Sequence, residues 1–359
     1  MLDPKLLELI TTIIIDITIY FTLYLIVSIA LNLQYGYTGI PNFGLALSVA
    51  GGAYVTGALA GRIARLYYGV GLDLDFMLYN TKITSMINER LAHDPLGGIL
   101  LFIIIIAISS IINAGIGFLA SYPAIRLEAI YLMMVLIAMA EAIRIIGENY
   151  YPLVGGTFWV HVPNVFAWMG EFQRIGVTII FLCIALIVFL MVQLITTSPF
   201  GRLIRAVREN ETVAKCLGKD IIKVKIVVMV LGSIIASLTG VLYAFYNYAV
   251  MATAFQRTDW TFWPWLMVML GGKGNNVGTL FGVLIFTIVR RIIIIEKHDI
   301  QAFIPIEVIW LEMLMMSAFL IIIMVLRPQG LIPEKPTKIR GIRFDKIKKK
   351  IIKSRKLTS

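Results

Sequence analysis

The sequence predicts an all-α fold, a polytopic membrane helix bundle of about eight or nine transmembrane helices in which Gly-rich segments break the pattern. Three observations predict it. First, 59% of the 359 residues are hydrophobic and 15% are charged, against about 45–50% and about 25% in an ordinary soluble domain. Second, the apolar residues fall in runs of about 20, the length one helix needs to cross a bilayer. Such runs are too long for barrel strands, which alternate over about ten residues. Third, nineteen of the 32 Lys and Arg residues lie in two short segments, 197–225 and Arg327 to the C-terminus. Short basic segments beside spans mark the cytoplasmic side.

Taken in order, full-length candidates lie near 9–33, 43–66, 99–120, 127–147, 175–196, 224–250, 276–295 and 303–326, with a shorter apolar piece at 260–270. Asp3, Lys5 and Glu8 give a mixed-charge start, and no A-x-A site follows the first run. The first run therefore reads as a retained helix, not a cleaved signal. With both basic segments inside, an even number of crossings separates them. The 260–270 piece is then expected to belong to a complete crossing at about 253–271. That arrangement puts 121–126, 271–276 and the C-terminus in the cytoplasm, and 67–98, 148–174 and the N-terminus outside. It also leaves Arg290 and Arg291 towards the outer face. The outer loop 67–98 has room for a short surface helix, not for a core of its own. Residues 1–332 read as one transmembrane domain, with 198–223 its main cytoplasmic segment and 333–359 a basic tail.

Several function classes are excluded. The net charge of +11 sits beside spans, which fits orientation and contact with anionic membrane lipids and not nucleic acid. Cys183 and Cys216 fall in a span and a loop, so no disulfide is expected. "GGKGNN" is not a G-x-x-x-x-G-K-[ST] loop, so the chain itself does not cradle ATP phosphates. His93, His161 and His298 lie far apart, and neither a metal set nor a nucleophilic triad is present in the pattern. Asp16, Glu128, Glu141 and Arg144 lie in or at the ends of spans. Glu141 and Arg144, three apart, share a helix face and can neutralise each other. No series of carboxylates runs through the spans, which argues against proton coupling.

The breaks are the first functional signal. Around Gly39, Pro41, Asn42 and Gly44 a span loses its helix formers, because Pro41 lacks an N–H and clashes with the preceding turn. Broken backbone at membrane depth is tolerated only inside protein or along a cavity. A second break, "GGKGNNVG", contains Gly271, Gly272, Gly274 and Asn275. Paired breaks of this kind point to a translocation path. Gly51 to Gly57 read instead as close helix packing.

The second signal is "SPFGRLIRAVRENETVAKCLGKDIIKVKIVV", 198–228. Ser198 can cap, Pro199 suits a first turn, and Gly218 ends the pattern. The apolar Leu203, Ile204, Val207, Val213, Ala214 and Leu217 recur at helical spacing, predicting one amphipathic helix that lies on the membrane or docks into a partner's groove.

Six pieces, in this order and spacing, carry a family resemblance: "GYTGIPNFGLALSVAGGAYVTG" (36–57), "EAIRIIGENYYPLVGGT" (141–157), "SPFGRLIRAVRENETVAKCLG" (198–218), "GVLYAFYNYAV" (240–250), "VMLGGKGNNVGTLFGVLIF" (268–286) and "LRPQGLI" (326–332). The chain resembles the M-type permease subunit of branched-chain amino acid ABC importers over roughly 30–332. The resemblance implies that 198–218 is a coupling helix seated in an ATPase cleft. Glu211, Ala214 and Gly218 follow the EAA…G pattern of such helices, although the Ile-x-Leu-Pro of stricter examples is missing. Arg202, Arg205 and Arg208 with Glu211 would set its register by charge. It further implies a second, homologous permease, two ATP-binding subunits carrying ATP and Mg²⁺, an extracytoplasmic substrate-binding protein and a plasma-membrane location, with no cofactor on this chain. The same machine for urea, an amide or a sugar, and a stand-alone ion-coupled transporter, are the alternatives.

Overall fold

The computed structural model describes residues 4–295, 310, 313–314, 317–318, 321–322, 325 and 329–334. The helices are α1 (Pro4–Leu31), which continues as a π-helix over Asn32–Tyr37, then α2 (Leu45–Tyr68), α3 (Asn80–Leu91), α4 (Pro95–Arg126), α5 (Ala129–Asn149) and the single turn α6 (Tyr151–Val154). After the two-residue strand β1 (Val160–His161) come α7 (Gln173–Thr197), α8 (Pro199–Glu209), α9 (Glu211–Cys216) and α10 (Ile221–Asn247). Strand β2 (Ala249–Val250), a π-turn at Thr258–Phe262, α11 (Trp263–Gly271) and α12 (Asn276–Ile295) follow. Among the described residues, the one departure from all-α is the ribbon β1–β2, antiparallel with Val160 opposite Val250.

Among the described residues, six helices are long and apolar enough to cross a membrane: Thr11–Tyr37, Pro95–Arg126, Ala129–Asn149, Ala167–Thr197, Ile221–Asn247 and Asn276–Ile294. The chain is thus a multi-pass membrane protein. α2 has 24 residues, about 36 Å, but its glycines and alanines make it less apolar. The predicted span at 303–326 lies outside the described residues, apart from single helical positions such as Trp310 and Met313. The basic tail from 335 also lies outside them.

α2 is central and not lipid-facing. It is clasped between α10 and α4, and α1 packs on α10, α7 and α12. The contact is backbone to backbone: a Cβ on Gly52 would overlap the Ser237 carbonyl, and one on Gly240 the Val49 carbonyl. Small residues allow this approach in a setting without a hydrophobic driving force between helices. In α10 the most apolar stretch is 61% buried, against 17% in α5, so α5 lines the rim.

The bundle has two ends. At one, Tyr68 donates to Asp94 (2.9 Å), Arg62 to the Pro152 carbonyl (2.8 Å), the His161 N–H to Asn80 (2.6 Å) and Gln173 to Tyr248 (2.7 Å), so loops 67–98 and 148–174 form one cap. α3 is the short surface helix expected there. At the other end lie α8, α9, the 271–275 turn and 329–334. Since β2 pairs with β1 in the cap and Gly271 bonds Ile332 at the opposite end, 251–271 runs from one end of the described bundle to the other. One expectation needs correction. The loop at 121–126 is helical, because α4 continues through Pro123 to Arg126 and turns only at Leu127 and Glu128. Pro123 lies inside α4, where it has no N–H to offer the Leu119 carbonyl.

Candidate functional site

The first break begins where α1 widens into its π-turn, a form that recurs at functional sites in helices. Residues 38–44 then leave the helix. Gly39 has φ of 81°, a left-handed conformation that a side chain would strain. The released polar groups are satisfied within the chain. Asn42 Nδ2 donates to Gln34 Oε1 (2.8 Å), its Oδ1 accepts from the Gly44 N–H (2.8 Å), and its carbonyl accepts from Trp265 Nε1 (3.0 Å). Phe43 stacks on Trp265 at 4.3 Å. Gly44 lies against the Leu136 carbonyl of α5, and Pro41 is half-buried. Asn42 therefore braces α11 instead of opening onto a channel in this conformation.

The second break is the turn Gly272–Asn275. Gly272 takes φ 114°, ψ 115°, a conformation reserved for glycine. Asn275 Oδ1 accepts from the N–H groups of Val277 (3.1 Å) and Gly278 (3.2 Å), capping α12. The two breaks meet. Asn32 Oδ1 accepts from the Gly274 N–H and Asn32 Nδ2 donates to Asn276 Oδ1, both at 2.9 Å. Asn276 Nδ2 in turn donates to Gln193 Oε1 (2.9 Å) and Thr196 Oγ1 (3.3 Å) of α7. Sequence reasoning paired the breaks only by their composition. It missed Asn32, Gln193 and Asn276, whose signal was an amide at the edge of an apolar run.

The 198–218 segment is two helices, not the single one predicted. Ser198 Oγ accepts from the N–H groups of Phe200 (3.2 Å) and Gly201 (3.4 Å) and starts α8. Asn210 then turns extended (φ −161°, ψ 109°) and caps α9 through the Val213 N–H at 3.0 Å. Asn competes with helical backbone and favours such caps. Gly218, with φ of 73°, follows the end of α9. Ile204, Val207 and Ala214 are buried; Arg202, Ala206, Glu211, Val213 and Leu217 face outward. Glu211 pairs with Lys225 at 2.8 Å.

Arg205 and Arg208 point into the chain. Arg205 Nε donates to Glu334 Oε1 (3.1 Å), its NH1 donates to the Thr196 carbonyl (3.1 Å), and its guanidinium lies 4.8 Å from the Tyr37 ring centroid. Arg208 NH2 donates to Glu334 Oε2 (2.7 Å) and Glu209 Oε1 (3.0 Å), and its NH1 donates to the Gly36 carbonyl. Burial works against the Arg208 charge, but the hydrogen bonds to Glu334 and Glu209 outweigh it and hold its pKa above the ordinary value. A cavity of about 630 Å³ opens here, lined among others by Gly36, Gly39, Arg208, Lys273 and Glu334. Of the sequence-predicted residues of the two breaks, Gly39 and Gly274 lie beside Arg208. Arg202, Glu211, Ala214 and Gly218 lie outside that cluster, on the outward and far parts of α8 and α9.

Several charges within the spans are paired. Arg144 bonds Glu141 and Glu148, and Arg257 comes within 3.7 Å of Glu141. Asp16 holds Arg291 and accepts from Tyr246 (3.0 Å), while Arg290 pairs with Asp259 at 3.2 Å and bonds Tyr24. Among the described residues no group of His, Cys, Asp or Glu is arranged to hold a metal ion.

Comparison with known proteins places this geometry. A model of the permease component of branched-chain amino acid transport systems matches residues 13–324. A protein of Methanocaldococcus jannaschii named as a probable branched-chain amino acid transport permease, LivM, is 41% identical, over 89% of this chain and 93% of its own length. High-affinity branched-chain amino acid transport permeases of Salmonella typhimurium and Escherichia coli K12 are each 23% identical, over 89% of this chain and 70% of theirs. No solved structure matches the chain. A membrane bundle broken at 38–44 and 272–275, matched by that family along nearly its whole length, is a LivM-type member of the branched-chain amino acid transport permease family.

Proposed function

We propose that this chain is the membrane-spanning permease subunit of an ABC importer that carries leucine, isoleucine or valine across the plasma membrane. A second, homologous permease completes the path. Two ATP-binding subunits hydrolyse Mg·ATP on the cytoplasmic side, and an extracytoplasmic binding protein delivers the substrate. The C-terminus lies in the cytoplasm, on the side the basic segments favour.

One observation carries the reading. The α8–α9 segment keeps an outward face, with Val213 55% and Leu217 71% exposed, while on its inward face Arg208 bonds Gly36, and Arg205 and Arg208 bond Glu334, which follows the stretch bonded to the 271–275 turn. An apolar, charged-rimmed helix face suits a partner's groove, and a push on it reaches the backbone at Gly36 and at the 272–275 turn. Arg202 and Glu211 flank the docking face, and Ala214 and Gly218 set the shape of α9. Gly39, Pro41, Asn42 and Gly44 with Gly271, Gly272, Gly274 and Asn275 form the hinges of the path.

Co-expression with the ATP-binding subunits tests the docking face. The wild-type permease is expected to retain them through purification. Leu217→Asp together with Val213→Asp leaves folding intact, since both side chains are exposed, and releases the ATPase. Full retention by the double variant would contradict docking on this face.

A further inference from the structure

Residues 329–334 lie along the turn between α11 and α12. The Leu331 N–H donates to the Leu270 carbonyl at 2.9 Å, and the Ile332 N–H to the Gly271 carbonyl at 3.0 Å. Asn275 Nδ2 adds bonds to the carbonyls of Ile332 (3.4 Å) and Pro333 (3.2 Å). The approach is backbone to backbone, since a Cβ on Gly272 would overlap the Ile332 carbonyl. From this platform Glu334 reaches α8, one carboxylate oxygen on Arg205 and the other on Arg208.

The charges around it leave Glu334 little redundancy. Arg205 and Arg208 are each 21% exposed and Glu334 25%, so water screens these pairs less than it screens surface pairs. The other carboxylate on Arg208, Glu209, is 73% exposed. Without Glu334 two guanidiniums one helical turn apart lose their inward counter-charge, and like charges at that spacing repel. Residues 329–334 would no longer be fastened to α8, and the second break would reach α8 indirectly, through Asn32 and the Arg208 bond to Gly36 and through Asn276 and Thr196. The first break would keep the Arg208 bond to Gly36 and the Arg205 contact with the Tyr37 ring.

We propose that Glu334 transmits the movement of α8 to both breaks, so that 36–39, 199–209 and 271–275 move as one body. The proposal rests on the importer reading above, and it assigns Arg205 and Arg208 to transmission within the chain and not to ATPase docking. Glu334 is a positioning residue: it acts through the two arginines. Its loss should leave ATP hydrolysis running while transport fails.

The test uses the assembled complex in proteoliposomes with leucine-loaded binding protein, reading leucine uptake and ATP hydrolysis in the same sample. Glu334→Gln removes the charge at nearly constant size. It is expected to keep the ATPase bound and hydrolysis within about twofold of wild type, while uptake per ATP falls about tenfold or more. Glu334→Asp, which keeps the charge, should recover part of that ratio. Arg205→Gln removes one of the two pairs and should lower the ratio severalfold. Should Glu334→Gln fail to assemble, Arg205→Gln carries the test. An unchanged ratio, or a proportional fall of uptake and hydrolysis, overturns the role of Glu334. Wild-type uptake that proceeds without ATP overturns the importer reading instead, so the two failures are distinguishable.

Discussion

Asn276 joins three elements with one amide: α1 through Asn32, α7 through Gln193 and Thr196, and α12 on which it sits. Asn276→Ala leaves buried donors and acceptors unpaired, at about 1–3 kcal/mol for each group stranded. Thermal unfolding in detergent should show that loss, with the helix content of the folded state unchanged. The Asp16–Arg291 pair behaves differently. Breaking one side strands the other charge, whereas replacing both with apolar residues removes the burial penalty. Asp16→Leu with Arg291→Leu is therefore expected to be more stable than Asp16→Leu alone, as a double-mutant cycle would report. At this scale the sequence was readable only for near neighbours. Glu141 and Arg144 declare their pairing by spacing. Asp16 and Arg291 do not, since 275 residues separate them and helical periodicity carries no information about which helices touch.

α2 depends on glycine where it meets α10. Gly52→Val would drive a branched side chain into the Ser237 carbonyl. Overpacking of this kind destabilises by about 1–3 kcal/mol or more, and Gly52→Val should lower the unfolding temperature more than the same change at Gly115, where a Cβ meets open space. The start of α4 depends on a carboxylate. Asp94 accepts from the Gly97 N–H (2.9 Å) and from Tyr68 (2.9 Å), which holds its pKa below the usual carboxylate value. A depressed folded pKa adds stability that is fully present above the unfolded value and is lost as pH falls through the folded one. The deficit of Asp94→Ala in thermal unfolding should therefore be constant from neutral pH down to about 5 and shrink below about pH 3.9. Element positions were legible because apolar runs and caps are local. The split at Asn210 was not, since Leu203 through Leu217 keep a helical period across it. The backbone turns extended at Asn210 to cap α9, with Glu211 held by Lys225 of α10.

The whole molecule has a capped end and an end that carries α8, α9 and the 329–334 strap, and the family match fits a permease with those two faces. The alternation of loops was legible from nineteen clustered cations. The junction of both breaks at Asn32, Arg208 and Glu334 was not, because it is made by contacts across more than a hundred residues of sequence. Cys216 on α9 is exposed and free, which makes it a native topology probe. A membrane-impermeant maleimide should label it in inside-out vesicles and not in intact cells, and bound ATPase subunits should slow the reaction. The central claim is that the bundle is driven by ATP hydrolysed at the α8–α9 end. Leucine uptake into proteoliposomes holding the full complex, with ATP or ADP enclosed and loaded binding protein outside, tests it most directly. Uptake with enclosed ATP and none with ADP is the predicted result; equal uptake with both, or uptake by this chain alone under an imposed ion gradient, would contradict it.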